Sequence, residues 1–490
     1  MIRYRVPALA TILLASACVS GCSMAPHYER LALAAPAAFK EAPGWRTAQP
    51  ADDIAKGEWW RLFDDPILDA LEARVAVTNQ NVAAAAAAYA EARAATREAK
   101  AAAYPSISLS GSGTNSGSFG SQTPIVLGGG SSVGGSNLGS LTNDLLAAQD
   151  HRYSLSLGAT WEPDLWGKIR STVRQASATA QASQADLANA TLSAQGELAS
   201  DYLQLRAIEA QKKVLDDTVG AYAHALTVTR NRLIEGVAAE QDVLLAEAQL
   251  RDARAQDADL DRQRAIYEHA IAVLVGDNPS SFSIAPAAWN AAVPAIPSVL
   301  PSALLERRPD VASAERKVAA ANANIGIQKA AFFPTISLSA SLGGNGSDLG
   351  SLFTASGSLW SLGAQVAETV FDFGARTAKV KQARAAYDQT VAQYRQTALT
   401  AFQQTEDALA ATRVLATVSE ERSAGATASS GAAALAFNQY LAGQIDYTQV
   451  VTTQAAALSA QQARIAAIAN QQAAAVSLIQ AIGGTWLPAR

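Results

Sequence analysis

Cysteine is almost absent from this chain of 490 residues: Cys18 and Cys22 are its only two. That excludes a disulfide framework and a cysteine-rich zinc site. Histidine is equally scarce. His27, His151, His224 and His269 are the only four, and no metal-ligand spacing relates them. Charged residues make up 17 % of the chain and the formal net charge is −5. Phosphate binding wants a basic patch, so no nucleic-acid partner is expected. Nor does any apolar run approach the roughly 20 residues of a permanent membrane helix. Alanine dominates instead, with much glutamine, serine and threonine.

The first residues read as an address. Arg3 and Arg5 precede a mostly apolar run from Val6 to Ala17, which suits a secretory signal over residues 1–21. The run ends Val19-Ser20-Gly21-Cys22, similar to the bacterial lipobox, in which the cysteine thiol takes a diacylglycerol. Cys22 is the expected lipid-attachment site. Cys18 fits less well, because Ala15 stands where a larger aliphatic is wanted. By resemblance to known sorting signals, Ser23 rather than Asp favours the outer membrane.

The chain is written twice. Tyr104-Pro105-Ser106-Ile107-Ser108-Leu109 returns 229 residues later as Phe333-Pro334-Thr335-Ile336-Ser337-Leu338. Trp166-Gly167, Gly236 and Gly276 return 207 residues later as Phe373-Gly374, Gly443 and Gly483. The difference of 22 residues lies in the Gly- and Ser-rich tract 111–140, which reads as a loop. Pro279, Pro286, Pro294, Pro297 and Pro301 mark the linker between the copies. The expected divisions are a lipid-anchored segment 22–65, repeat 1 at 66–278, the linker at 279–302 and repeat 2 at 303–490.

Each copy has one plan. An alanine-rich helix is expected over about 66–103, and again over 309–332. A strand follows, in which Ile107 and Leu109 alternate with Ser106, Ser108 and Ser110. In the second copy Ile336, Leu338, Ala340 and Leu342 alternate with Thr335, Ser337, Ser339 and Ser341. A second strand returns, with Tyr153, Leu155, Leu157, Ala159 and Trp161 on one face. Its repeat has Trp360, Leu362, Ala364 and Val366. Period-2 patterning of this kind suits a strand with lipid on one side and water on the other, and equally a half-buried strand of a soluble sheet. The outer-membrane address favours lipid.

No proline interrupts 167–236 or 374–443. Leu198, Tyr202, Leu205, Ile208, Leu215 and Val219 keep helical period there. A continuous helix of that length would run ~100 Å, with Gly220 and the Gly425/Gly431 pair as points where it would break. Shorter return helices are expected over 236–276 and 443–483. Asp257, Asp259 and Asp261 read as a solvated face.

Four strands cannot close a barrel, and backbone groups in lipid must all be paired. The chain must therefore associate if its strands lie in lipid. Three copies give twelve strands and twelve helical columns; two or four copies satisfy the same arithmetic.

Several segments resemble the TolC-like outer-membrane efflux family, nearest its lipid-anchored NodT-type members. They are Trp59-Trp60-Arg61-Leu62-Phe63-Asp64-Asp65-Pro66-Ile67-Leu68, Arg307-Arg308-Pro309-Asp310-Val311, Phe333-Pro334-Thr335-Ile336, and the turns at Gly443 and Gly483. The resemblance covers essentially the whole mature chain. It implies a mainly α protein with a small β part: a homotrimer with a 12-stranded β-barrel in the outer membrane, standing on a 12-column α-helical barrel in the periplasm. It implies an exit duct completed by a periplasmic adaptor and an inner-membrane pump, often of the RND type, which supplies the energy. No enzymatic activity and no cofactor beyond the lipid on Cys22 are expected. The tunnel tip should lie near Gly236 and Gly443, where Asp446, Glu240 and Asp242 are candidate gate residues. Many relatives carry Asp nine residues after the turn glycine; here Thr452 stands there. Asp446 can equally cap its helix, and Tyr440 and Tyr447 can equally be packing residues. Competing roles are a duct for type I protein or oligosaccharide secretion, and a periplasmic scaffold without a pore.

Overall fold

The structure is a computed structural model that describes residues 24, 26–29, 40–41, 57–116, 150–294, 308–354 and 356–484. The signal segment, Cys22, Pro297 and Pro301 lie outside the described residues. The helices are α1 (Pro66–Thr78), α2 (Gln80–Ala101), α3 (Lys168–Ile234), α4 (Glu240–Leu274), α5 (Pro309–Ala330), α6 (Ala375–Leu441) and α7 (Tyr447–Ala481). The strands are β1 (Ser106–Ser116), β2 (Asp150–Trp161), β3 (Thr335–Gly346) and β4 (Ser358–Ala367). The fold is thus mainly α with a small β part. No helix among the described residues is long and apolar enough to cross a membrane.

The chain divides into two compact units, and each draws on both halves of the sequence. The first contains the four strands. They form one antiparallel sheet in the order β1-β2-β3-β4. Its register aligns the alternating patterns across all four strands. Leu109 stands opposite Leu157, Leu157 opposite Leu342, and Leu342 opposite Trp360. On the other face hydroxyls meet across the strands. Ser106 lies 2.7 Å from Thr160, Ser110 2.8 Å from Ser156, and Ser341 2.8 Å from Ser361. The sheet therefore has one apolar face and one hydroxyl face, and a one-residue slip would mix them. At the helix-side end, Trp166 stacks on Phe333 at 4.9 Å and its indole N–H donates to the Pro334 carbonyl at 2.7 Å.

The second unit is helical. Asp65 opens α1: its carboxylate accepts from the amides of Ile67 (2.9 Å) and Leu68 (3.2 Å), and Pro66 occupies the first turn, where its missing N–H costs nothing. The single helix expected over 66–103 is instead two helices. Asn79 divides them. Its side-chain oxygen accepts from Asn81 (2.9 Å) and Val82 (3.1 Å), and its amide donates to the Leu274 carbonyl at 2.7 Å. A buried asparagine thus starts α2 and ties the break to the end of α4. By contrast α3 and α6 each run 67 residues without interruption. Gly220, Gly425 and Gly431 do not break them, because each costs only ~1 kcal/mol within a helix. The Asp257 face is more than solvated: Lys212 on α3 binds Asp257 at 2.9 Å and Asp261 at 3.2 Å.

The start of α1 is held by a buried chain of polar contacts. The Tyr202 hydroxyl donates to Asp65 (2.7 Å), and Arg206 donates to Tyr202 (3.0 Å) and pairs with Glu209 (2.6 Å). Glu209 also receives Arg264 at 2.9 Å, which pairs with Glu268 at 3.0 Å. Arg206 and Glu268 bind backbone groups of Ala285 and Ile284, fixing the segment that follows repeat 1.

Glu72 lies in this core fully buried, and neither carboxylate oxygen finds a partner among the described residues. Burial first, and then the charge of Asp69, push its pKa up to about 9. A carboxyl raised from 4.5 binds a proton in the folded state that the unfolded chain has released. Stability therefore falls as pH rises between about 4.5 and 9, with a slope of up to about 1.4 kcal/mol per pH unit from this group. Glu72→Gln is expected to flatten that fall. Thermal unfolding at pH 5, 7 and 9 checks it, and parallel curves for the two proteins would count against it.

Candidate periplasmic gate and family relationships

The helical unit contains two helix-to-helix turns related by the repeat. At the first, the Gly236 N–H donates to the Leu233 carbonyl at 2.9 Å and the Val237 N–H to Arg232 at 2.8 Å. At the second, Gly443 donates to Tyr440 at 3.0 Å and Gln444 to Gln439 at 2.9 Å. These paired bonds close each helix only if the glycine is left-handed, and φ is 75° at Gly236 and 72° at Gly443.

Beside these turns the structure places the acidic candidates differently from one another. Asp446 occupies the N-cap position of α7, yet its side chain makes no capping hydrogen bond and is exposed. Glu240 is the first residue of α4 and is exposed. Asp242 is half-buried, and its carboxylate accepts weakly from the Ala239 amide at 3.4 Å. It thereby caps the start of its own helix, α4, from the N3 position. Thr452 turns back onto its own helix, donating to the Thr448 carbonyl at 2.9 Å.

What joins the two turns is a cluster the sequence left unassembled. Arg232, in the last turn of α3, donates to the carbonyls of Tyr440 and Leu441, each at 3.1 Å. Both carbonyls lie at the end of α6, where a cation is favoured by the helix dipole; that of Tyr440 also receives the Gly443 N–H. The same guanidinium stands 4.6 Å over the Tyr440 ring. Tyr440 meets Tyr447 edge-to-face at 5.1 Å. Tyr447 is 1 % exposed. Burial first, then the nearness of Tyr440, Tyr222 and Asp242, push its phenol up to about 12; a hydrogen bond with Thr229 acts the other way. The Tyr440 hydroxyl and the Arg232 Nε are buried without a hydrogen-bond partner among the described residues. The two tyrosines are packing residues, but in a polar joint. The sequence signal available for Arg232 was a basic residue in the last turn before a glycine stop. Nothing in the sequence said which helix end it would reach.

The Arg308-Pro309-Asp310 run has a structural role. Pro309 begins α5, as its position suggests. Arg308 is buried and grips Asp310 through Nη2 at 2.7 Å. It also donates to Gln404 at 2.6 Å and to the Ala481 carbonyl at 3.0 Å, joining α5, α6 and α7.

Arg232→Ala removes a charged donor from two helix-end carbonyls and uncovers the Tyr440 ring. A loss of about 1–3 kcal/mol is expected, with Arg232→Lys restoring only part because it lacks the planar fork. Thermal melts of the three proteins in one detergent check this; equal midpoints would show that the joint contributes nothing.

The chain matches the family model described as outer membrane efflux protein over residues 73–277 and 300–484. It is 30 % identical over 471 residues to the probable efflux pump outer membrane protein TtgC of Pseudomonas putida, covering 96 % of this chain and 93 % of that protein. It is 28 % identical over 476 residues to the pyoverdine export outer membrane protein OpmQ of Pseudomonas aeruginosa, covering 96 % of each. Among solved structures, the outer-membrane channel OprN superposes with a TM-score of 0.81 at 27 % identity, over 95 % of this chain and 100 % of that one. With both repeats matched, this chain belongs to the outer membrane efflux protein family.

Proposed function

We propose that this protein is the outer-membrane exit duct of a tripartite efflux pump, passing small molecules from an inner-membrane transporter and a periplasmic adaptor to the outside. The observation that carries the reading is the two-faced sheet: apolar residues on one side, hydroxyls on the other, and an unpaired edge at each end. A sheet of that kind suits a membrane barrel with a watery lumen, provided further copies supply the missing strands. Three copies give twelve strands. Relatives named for antibiotic and toluene efflux favour drugs and apolar solvents as cargo over a secreted protein.

In this reading the duct catalyses nothing and holds no cofactor. The pump drives transport, and the duct supplies a continuous path. Acylation of Cys22 fixes the N-terminus to the inner leaflet of the outer membrane. The turns at Gly236 and Gly443 form the periplasmic tip. There Asp446, with no capping bond of its own, supplies one carboxylate per subunit to a narrow ring, and Glu240 and Asp242 flank it. Such a ring favours cations and disfavours anions. The Arg232–Tyr440–Tyr447 joint holds the two hairpins of a subunit together in the resting form.

Purified protein in a planar bilayer tests the central claim. Wild type is expected to conduct weakly, and Asp446→Ala to conduct more with less preference for cations. A protein that never conducts is a scaffold, and the duct reading fails. An unchanged resting current in Asp446→Ala removes that residue from the gate while leaving the duct. Loss of the gene is expected to raise accumulation of a fluorescent dye; a defect confined to an exported protein would indicate secretion instead. Metabolic labelling with palmitate is expected to mark wild type and not Cys22→Ser.

A further inference from the structure

The helix-side end of the sheet carries exposed aromatic and apolar side chains. Tyr104, Val370, Phe371 and Phe373 are all strongly exposed. Trp161 ends the apolar face of β2, and its indole N–H donates to the Ala103 carbonyl at 3.0 Å. A ring with an apolar body and a polar handle belongs at the boundary between hydrocarbon and water. In the duct reading this end is the periplasmic boundary of the membrane.

Just beyond these rings the chain turns basic, although as a whole it carries −5. The four junctions between strand and helix, 94–104, 162–176, 329–334 and 368–386, hold ten basic residues and five acidic ones. Three of the ten are paired locally: Lys168 with Glu162 at 3.3 Å, Arg170 with Asp164 at 3.1 Å and Arg376 with Asp372 at 2.8 Å. Arg97, Lys100, Lys379, Lys381 and Arg384 are exposed, and none makes an ion pair among the described residues. Lys329 is half-buried and likewise unpaired there. The band follows the internal repeat. Lys100 and Lys329 are counterparts under the 229-residue shift, each six residues before its strand. Arg174 and Lys381 are counterparts under the 207-residue shift. Helix energetics does not account for the basic residues that follow β4. Asp164 and Asp372 already accept from the amides that open α3 and α6, and a cation near that positive end gains nothing from the dipole. The depth fits a headgroup layer instead. Lys379 and Lys381 lie about 6 and 9 Å along α6 from its first residue, and the polar layer beside the hydrocarbon is about 5–8 Å thick.

We propose that this band binds anionic phospholipid headgroups of the periplasmic leaflet, with Lys100, Lys329, Lys379 and Lys381 holding their phosphate diesters. The inference rests on the membrane-duct reading. Two features favour a lipid over a soluble anion. The free cations lie beside exposed apolar surface, so a molecule with both a phosphate and acyl chains satisfies both. The cations are also spread over separate junctions, rather than converging as the planar fork that grips one small anion. Each cation near an anionic surface strengthens attachment about fivefold, and salt weakens it. The consequence is positional. An acyl chain at Cys22 would hold one point of the chain, whereas a band repeated in both halves fixes the depth and tilt of the whole barrel.

Full-length protein in a neutral detergent, mixed with phosphatidylglycerol or phosphatidylcholine of the same acyl chains, tests this by counting bound lipid in native mass spectrometry. Wild type is expected to retain phosphatidylglycerol at least about tenfold better at low salt, and to lose the preference at about 0.5 M salt. Changing Lys100, Lys329, Lys379 and Lys381 together to Gln is expected to bring the two lipids near parity, while changing them together to Arg keeps the preference. Should the fourfold Gln variant fail to fold, Lys379→Gln with Lys381→Gln, both exposed, is expected to weaken the preference about fivefold or more. Equal retention of the two lipids by wild type overturns the inference, as does an unchanged preference in the Gln variants. Inorganic phosphate that displaces all the bound lipid would reveal a soluble-anion site and overturn it too. So would a Gln variant whose bilayer current changes its ion preference while its lipid preference does not, because those lysines would then face the lumen. A protein that retains neither lipid overturns the membrane reading itself.

Discussion

Among the described residues no further strand pairs along the outer edges of β1 and β4. That unmet pairing governs the rest of the molecule. An exposed edge in water invites aggregation, and in lipid it is prohibitive. No proline interrupts β1 or β4. In the proposed duct the edges are finished by self-association. The two faces of the sheet then follow, because a closed sheet in a membrane must offer apolar side chains outward and hydroxyls inward.

The same economy organises the helices. Each repeat supplies one 67-residue helix and one of 35 residues, joined by a turn that a left-handed glycine makes possible. Long alanine-rich helices bury little side-chain surface per residue. Buried clusters such as Leu215, Leu250 and Val450 hold them along their length, and polar joints add to these at the helix ends. Asn79 binds the end of α4, Arg308 binds the end of α7, and Arg232 binds the end of α6. In each case a polar side chain from one element donates to carbonyls that terminate another. Helix ends are where backbone groups lack partners, so that is where a polar joint contributes most.

Glu72 and the tip residues show the same rule from its costly side. Glu72 has no partner for its oxygens and is held largely neutral by burial. The Tyr440 hydroxyl is buried without a hydrogen-bond partner among the described residues, in a cluster that joins both hairpins. A joint with an unsatisfied group is less stable than it could be. In the gate reading, such a joint is one that a docking adaptor can rearrange at modest cost.

The sequence by itself determined the repeat, the alternation of the strands, the glycine turns and the long proline-free spans, while only the structure showed that Gly220, Gly425 and Gly431 do not break the helices. Each is a local or periodic property: Ile107 against Ser108, Gly236 repeated as Gly443, and no proline over 167–236 or 374–443. It also carried the family resemblance in the Arg308-Pro309-Asp310 run. It could not show that Asn79 divides the first helix, because an asparagine among alanines is a weak local signal until the carbonyl of Leu274 meets it. It named Asp446, Glu240 and Asp242 near the tip by their distance from glycines. Only the tertiary structure decided that Asp242 shares in a cap while Asp446 makes no capping bond, and that Arg232 reaches across to α6. The Arg232 contacts join residues more than 200 apart in the chain. No spacing encodes them, because they depend on which helix ends the fold brings side by side.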